Sequence, residues 1–327
     1  MPRIPSEFRP AWWLPGPHLQ TLWPTFFRPR PALRLETQRL ELADGDFLDL
    51  SWSGPPQGDI VLLLHGLEGT LQSQYARSQM RNLNQAGYRT CFMHFRGCSG
   101  EPNRLPRSYH SGETGDLKTV LEHIRSQFQR EVFAIVGFSL GGNVLLKWLG
   151  EEKHNAAVTT AVAISVPFSL AGAARRLNRG FSRIYQRHLI KLLVGKLRQK
   201  SRTVPMPPSI DFQAGHARQL SSFYQFDDKI TAPLHGFAGA DDYYQQCSSR
   251  QFLDMIKKPS LIVHAVDDPF MWPDTAPAEY DLPANVTLEL SNHGGHVGFV
   301  AGRWPWKPEY WLESRVLRWL EQHKNSQ

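Results

Sequence analysis

The sequence predicts a doubly wound α/β fold, in which helices cover both faces of a mostly parallel β-sheet. Six short apolar runs are rich in β-branched residues, as strands buried on both faces are. They are Ile60–Leu64, Arg89–His94, Val132–Val136, Val158–Ser165, Ser260–Ala265 and Val286–Leu290. The segments between them with helical spacing or composition are Gln74–Ala86, Gly115–Phe128, Gly142–Gly150 and Arg250–Ile256. This alternation of strand and helix is typical of the class.

Three regions depart from the alternation. Residues 1–32 are rich in Pro, Trp and Phe, and they predict a strap packed on the domain, because disordered segments are poor in aromatic residues. Leu33–Trp52, with the turn signal Asp44-Gly45-Asp46, predicts a β-hairpin. Residues 167–257 are too many for a simple strand-to-helix connection and predict a helical insertion, partly a lid over the site. The core then comprises residues 33–166 and 258–327.

Composition limits the compartment and the class of protein. Of 327 residues 41% are hydrophobic, which is enough for a core, yet no apolar run approaches the roughly 20 residues of a membrane span. The first ten residues lack the apolar stretch of a signal peptide. The three cysteines are odd in number and have no metal-ligand spacing, which favours reduced thiols. Together these features predict a cytoplasmic protein.

The net charge of +7 is concentrated in the insertion, where ten Lys and Arg residues fall between Arg175 and Arg202. No helix-turn-helix, zinc-finger or RNP pattern accompanies them, so we expect no nucleic-acid partner. Apolar residues recur at helical spacing in the same stretch, from Phe181 to Val194. Such a helix is expected to pack its apolar side on the core as a lid, and the alternative is peripheral contact with an anionic membrane.

The strongest local signal is Gly-x-Ser-x-Gly at residues 137–141, directly after an apolar strand and directly before a helix-like segment. That context is typical of a nucleophile elbow, where a sharp turn lifts the serine hydroxyl out of the sheet. The pattern predicts the α/β-hydrolase fold with Ser139 as nucleophile.

A serine hydroxyl needs a base, and in this fold the chain order is Ser, then Asp or Glu, then His. The loop after the last predicted strand contains His293 and His296, and we favour His296 because two glycines precede it and an apolar residue follows. His293 remains the competitor.

The acid is expected after the penultimate strand, where Asp267 and Asp268 follow Ser260–Ala265. We choose Asp268, with Asp267 as a turn residue bonded to backbone. Asp241 and Asp242 are further candidates, although they fall within the insertion.

Backbone N–H groups of Leu67 and Leu140 are the predicted oxyanion donors, because one follows the first buried strand and the other follows the nucleophile. His65 in the same loop is expected to be structural. The remaining histidines are scattered and no phosphate-binding glycine motif occurs, so neither a metal nor a cofactor is predicted.

Several segments together resemble the YheT-type family of α/β-hydrolases, which is related to the abhydrolase domain-containing lipid hydrolases. The matching segments are residues 16–22, 64–69, 95–100, 137–143, 267–269 and 293–296. The first and third are far more specific to that family than the nucleophile elbow. The resemblance implies a carboxylesterase-like or lipase-like activity and a Ser139–Asp268–His296 triad.

These observations predict a cofactor-independent serine hydrolase that cleaves carboxylic esters through an acyl-enzyme. One alternative is a lipid or acyl-thioester hydrolase at an anionic membrane surface. The other is a non-catalytic α/β-hydrolase scaffold used for binding, since a fold alone does not establish function.

Overall fold

In the computed structural model, which describes residues 2–210 and 220–324, nine strands form one sheet. In chain order they are β1 (Arg3–Pro5), β2 (Glu36–Glu41), β3 (Phe47–Ser53), β4 (Ile60–Leu64), β5 (Arg89–Met93), β6 (Val132–Phe138), β7 (Val158–Ile164), β8 (Ser260–Ala265) and β9 (Val286–Ser291). Their spatial order is β1-β9-β8-β7-β6-β4-β5-β3-β2. The hairpin β2–β3 adds to β5 in antiparallel fashion and all other pairings are parallel. The predicted fold class is confirmed.

Helices cover both faces of this sheet. They are α1 (Pro17–Phe27), α2 (Ala76–Gln85), α3 (Thr114–Phe128), α4 (Leu140–Glu152), α5 (Leu170–Leu177), α6 (Ser182–Lys200), α7 (Phe223–Phe226), α8 (Ala232–His235), α9 (Ala240–Cys247) and α10 (Trp311–Lys324). Alternate side chains of β4 point to opposite faces: Leu62 packs with α3 and α4, whereas Leu63 packs with α2 and α10. Two apolar layers therefore cover the parallel strands, one on each face.

The six strands predicted from apolar runs are all present, with ends shifted by at most two residues, and the predicted hairpin is β2–β3. The segment predicted over Arg250–Ile256 forms a 3₁₀ helix, Ser249–Met255, instead of an α-helix. The elements that the sequence did not predict include β1, α1, α10 and a separate two-stranded hairpin, β10 (Val300–Trp304) and β11 (Lys307–Tyr310). β1 has only three residues, too few to give a periodic pattern.

The N-terminal segment packs against strands β9 and β10. β1 adds a parallel strand beside β9, the Ala11 N–H donates to the Val300 carbonyl, and the Trp13 indole donates to the Gly302 carbonyl. α1 then follows. These contacts join the segment to β9 and β10, and the division of the chain into a strap, a core and an insertion remains a prediction.

Helices α5 to α9 all follow β7 and end before β8, and they bury an apolar cluster of their own. A π-helical turn, Asp227–Thr231, joins α7 to α8. We call this group of helices the lid. Among the described residues, no helix has the length and apolar character needed to cross a membrane. The three cysteines are buried free thiols.

Candidate active site

Ser139 occupies a strained turn between β6 and α4, with φ 52° and ψ −116°. Glycine is required on both sides, since a Cβ at Gly137 would lie 2.5 Å from the Gly141 carbonyl oxygen, and one at Gly141 would lie 2.5 Å from that of Leu64. The Ser139 N–H donates to the Ile164 carbonyl at 2.8 Å. The turn therefore fixes the hydroxyl at the N-terminus of α4, where helix backbone N–H groups favour negative charge.

His296 lies in the loop between β9 and β10 and faces this hydroxyl. Its Nε2 is 2.9 Å from the Ser139 Oγ. The Phe270 ring stacks on the imidazole with centroids 3.9 Å apart and planes 4° apart. The phenyl ring holds the imidazole in plane and shields one of its faces from water.

Asp268 contacts the other ring nitrogen of His296. Its Oδ2 is 2.8 Å from the His296 Nδ1, and its Oδ1 accepts the Phe270 N–H at 2.8 Å. The carboxylate is buried, which favours a fixed tautomer with the proton on Nδ1 and a free lone pair on Nε2.

Asp267 and His293, the alternative acid and base, contact each other instead of His296 and Ser139. Asp267 points away from His296: its Oδ1 accepts the Gly295 N–H at 3.0 Å and its Oδ2 is 3.3 Å from the His293 Nδ1. Burial raises the pKa of the Asp267 carboxyl above its ordinary value. His293 is largely exposed and makes no described contact with Ser139.

Asp241 and Asp242, the two candidate aspartates of the insertion, accept hydrogen bonds from groups within the lid. Asp241 accepts a hydrogen bond from the Tyr224 hydroxyl, and Asp242 accepts from the Ala238 N–H and the Gln246 amide. Neither contacts His296 in the described part of the chain.

Leu67 and Leu140 line the same cavity as Ser139 and His296. Their N–H groups have no acceptor within residues 2–210 and 220–324, so both are available to a bound oxygen.

Buried aromatic hydroxyls fix the loop that carries Leu67. The Tyr75 hydroxyl accepts the Gly66 N–H at 2.9 Å, and the Tyr109 hydroxyl accepts the Glu68 N–H at 2.7 Å. His65 bonds the Gly66 carbonyl and accepts the Phe95 N–H, and burial lowers its pKa to about 3. A permanently neutral His65 thus shapes the loop, the structural role expected from the sequence.

Comparison with known proteins bears on the fold and the family. Residues 59–302 match the family described as alpha/beta hydrolase fold. The chain is 43% identical over 319 residues to the Escherichia coli protein named "Putative esterase YheT", covering 96% of this chain and 93% of that one.

The chain belongs to the α/β-hydrolase family.

The resemblance to its YheT-type branch is thereby confirmed. A more distant relative, Phospholipase ABHD3 of Bos taurus, is 28% identical and is matched over 94% of this chain and 77% of its own length. A solved esterase structure from Pyrococcus furiosus aligns with a TM-score of 0.60 at 17% identity, covering 90% of this chain and 92% of that chain, and shows the shared fold.

In this α/β-hydrolase, helix α1 holds the loop that presents His296. The Gln20 amide donates to the Val300 carbonyl at 3.0 Å and accepts the Val300 N–H at 2.7 Å. The Thr21 Oγ1 accepts the His296 N–H at 2.9 Å. A Cβ at Gly295 would lie 2.6 Å from the Pro17 carbonyl oxygen, so loop and helix are in close contact. Sequence reasoning assigned no role to these residues, although residues 16–22 were among the segments that carried the family resemblance.

The cavity over this α/β-hydrolase site has a volume of about 160 Å³. The wall contributed by the lid is mainly apolar and includes Leu170, Leu177, Leu193, Leu197, Phe223 and Phe226. A hydrocarbon chain would therefore find complementary surface next to Ser139.

One group of side chains in this cavity region has the donor types of a metal site, which the sequence did not predict. Ligand atoms of His110, Glu113 and His235 lie within 4.8 Å of one another. Imidazole and carboxylate are suitable donors for a divalent cation. However, Arg107 already pairs with Glu113 at 2.5 Å, and its positive charge opposes a cation there. This ion pair disfavours a cation at these three side chains.

Proposed function

We propose that this protein hydrolyses carboxylic esters through an acyl-enzyme formed on Ser139. The observation that carries the proposal is the row of two short contacts, 2.9 Å from Ser139 to His296 and 2.8 Å from His296 to Asp268. A nucleophile bonded to a base, itself oriented by a buried carboxylate, is the arrangement that activates a serine hydroxyl.

In the first half of the proposed reaction, the Ser139 Oγ attacks the ester carbonyl carbon as the His296 Nε2 takes its proton. The N–H groups of Leu67 and Leu140 donate to the oxyanion that forms. Asp268 stabilises the imidazolium, which then gives its proton to the departing alcohol oxygen. In the second half, His296 takes a proton from water, and the resulting attack releases the acid and restores Ser139.

The expected substrate is an ester with an aliphatic acyl chain. The lid contributes apolar side chains to the cavity wall, and the named relatives include an esterase and a phospholipase. No cofactor takes part in these steps.

The test is labelling with a fluorophosphonate, followed by a chain-length series of p-nitrophenyl esters. We expect Ser139→Ala to abolish labelling and to lower ester turnover by several orders of magnitude, leaving only the oxyanion-hole contribution. Ser99→Ala is the matched control, because Ser99 lies in a glycine-rich loop to which no role is given. Labelling that persisted in Ser139→Ala would contradict the assignment. Failure of the folded native protein to label would favour the binding-scaffold alternative.

A second candidate is ester hydrolysis on lipids at an anionic membrane surface, with α6 in contact with the headgroups. Phe181, Ile184 and Leu192 remain 48%, 51% and 41% exposed, and basic residues such as Arg187 and Lys191 lie on the same helix. Exposed apolar side chains among basic ones favour an anionic interface. Co-sedimentation should then be stronger with vesicles containing anionic lipid than with neutral vesicles. Equal binding to both, or to neither, would rule it out.

A further inference from the structure

The lid buries an ammonium group that has no ionic partner among residues 2–210 and 220–324. Lys200, at the end of α6, is 3% exposed and lines the active-site cavity. Its Nζ donates to the carbonyl oxygens of Pro106 and Arg107, at 3.1 and 2.7 Å, and to the Ser108 hydroxyl at 3.1 Å. Within residues 2–210 and 220–324, no carboxylate lies within 4.0 Å of it. Burying an ammonium group without a counterion is costly, so such a group is a candidate for binding a ligand.

Each neighbouring cation has a carboxylate within ion-pair distance, whereas Lys200 has none among the described residues. Lys196, one turn earlier on α6, pairs with Glu68 at 2.9 Å. Arg107 pairs with Glu113 as described above.

Arg96 shares the carboxylates of Asp116, Asp44 and Asp46, at 2.7, 2.9 and 3.0 Å. Asp46 is also the acid whose charge acts most strongly on Lys200, but it is already committed to Arg96 and to the Asn103 amide. The nearby Cys98 thiol is neutral, since burial raises its pKa to about 11.

Two neutral imidazoles line the cavity in the same region. The rings of His110 and His235 are in contact, with centroids 4.5 Å apart. Burial lowers the pKa of both, to about 3 for His110, and the positive charges of Arg107 and Lys200 lower that of His235 further. The His110 Nδ1 accepts the Gly112 N–H, so its proton is on Nε2. A neutral imidazole carries one ring N–H without adding a charge. The Nε2 of His110 is 3.5 Å from the Glu113 Oε2.

The remaining buried carboxyl in the described cavity wall, Asp227, does not neutralise Lys200. Its two oxygens accept hydrogen bonds from the Thr231 and Tyr244 hydroxyls. Burial raises its pKa to about 6. Lys200 lies beyond ion-pair distance of it.

We propose that Lys200, beside the neutral imidazoles of His110 and His235, binds a negatively charged group, a carboxylate or a phosphate, carried by the ester substrate. That group would replace one of the three present acceptors of the Lys200 ammonium. This inference rests on the proposed function, because the ester is the one that Ser139 would cleave. It predicts that the enzyme prefers anionic esters to neutral ones of equal length.

The experiment compares three p-nitrophenyl esters of equal acyl length. One is p-nitrophenyl octanoate, one is the mono-p-nitrophenyl ester of octanedioic acid, and one ends in a phosphonate. We expect a higher kcat/KM for the anionic esters in the native protein at pH 7. That ratio should fall about tenfold in Lys200→Met and persist in Lys200→Arg, because the charge is what matters. A preference for the phosphonate or for the carboxylate identifies which anion the cavity takes.

Lys191→Met is the matched control, since it removes the same charge from an exposed position of the same helix. The native protein supplies a second measurement, independent of whether Lys200→Met folds. Burial lowers the pKa of Lys200 to about 8. The ammonium form therefore predominates below pH 8 and is lost above it, so the anionic preference should decline between pH 7 and 9. The ratio of the octanedioic ester to the octanoate ester cancels pH effects common to both, because the octanedioic carboxylate stays ionised from pH 7 to 9.

The outcomes separate the two proposals. If the octanoate ester is cleaved through Ser139 but the anionic ratio is the same in the native protein and in Lys200→Met, and flat from pH 7 to 9, the anion site is wrong and ester hydrolysis stands. If none of the esters is cleaved, both proposals fail. A ratio that falls in Lys200→Met, survives in Lys191→Met and declines with pH supports the site.

Discussion

Two aspartate–histidine pairs lie side by side at the carboxyl edge of the sheet, and only one reaches the serine. Asp267 and Asp268 are adjacent in the chain, and their partners His293 and His296 are three residues apart. The outer pair is separated by 3.3 Å with His293 61% exposed, whereas the inner pair is separated by 2.8 Å with His296 10% exposed. Identical residue types thus occupy very different environments.

The difference lies in burial and in the third partner. An exposed ion pair contributes little, because water competes for both groups. The inner pair is covered by Phe270 and continues to the Ser139 hydroxyl, so each proton has one acceptor. The residue types are the same in both pairs, and packing brings only the inner pair into contact with Ser139.

The largest effect is expected from a substitution that breaks the inner pair. In Asp268→Asn the amide favours the wrong imidazole tautomer, and we expect kcat to fall about 10⁴-fold. Asp267→Asn is the matched control, because it makes the same chemical change one residue away, and it should retain activity close to native. Steady-state hydrolysis of a p-nitrophenyl ester and the rate of fluorophosphonate labelling measure both variants.

Equal losses in the two variants would mean that the pairs act together, and a larger loss in Asp267→Asn would reverse the assignment. Thermal melting separates these outcomes from unfolding. The Gly295 N–H bond of Asp267 is expected to survive in the Asn variant, since an amide oxygen accepts it equally well.

The fold was predictable because its signals are local. β-branched runs such as Val158–Ile164 and the turn at Asp44–Asp46 specify strands and a hairpin from neighbouring residues alone. The three-residue strand β1 exists only because β9 offers it an edge, a tertiary contact with no pattern in the sequence.

The geometry of the candidate site was predictable only in part. Ser139 is recognisable from its flanking glycines, but which of two adjacent aspartates turns inward depends on the turn after β8, where the Asp268 N–H bonds the Ala265 carbonyl. Charge pattern likewise cannot tell Lys200, which is buried, from Lys191, which is exposed on the same helix.

A smaller effect is expected when the loop of the inner pair loses its hydrogen bond to α1. The Thr21 Oγ1 accepts the backbone N–H of His296, and no corresponding bond from α1 reaches His293 in the described part of the chain. Thr21→Val keeps the shape but leaves that N–H without its acceptor, which costs on the order of 1–3 kcal/mol and lets the base loop shift. We expect kcat to fall about tenfold with KM nearly unchanged, because small misplacements of a catalytic group slow the chemical step. Thr21→Ser, which restores the hydroxyl, should recover most of the loss. If Thr21→Ser were as slow as Thr21→Val, or if only KM rose, Thr21 would serve packing or substrate binding, and the inner pair would owe its position to Phe270 and Asp268 alone.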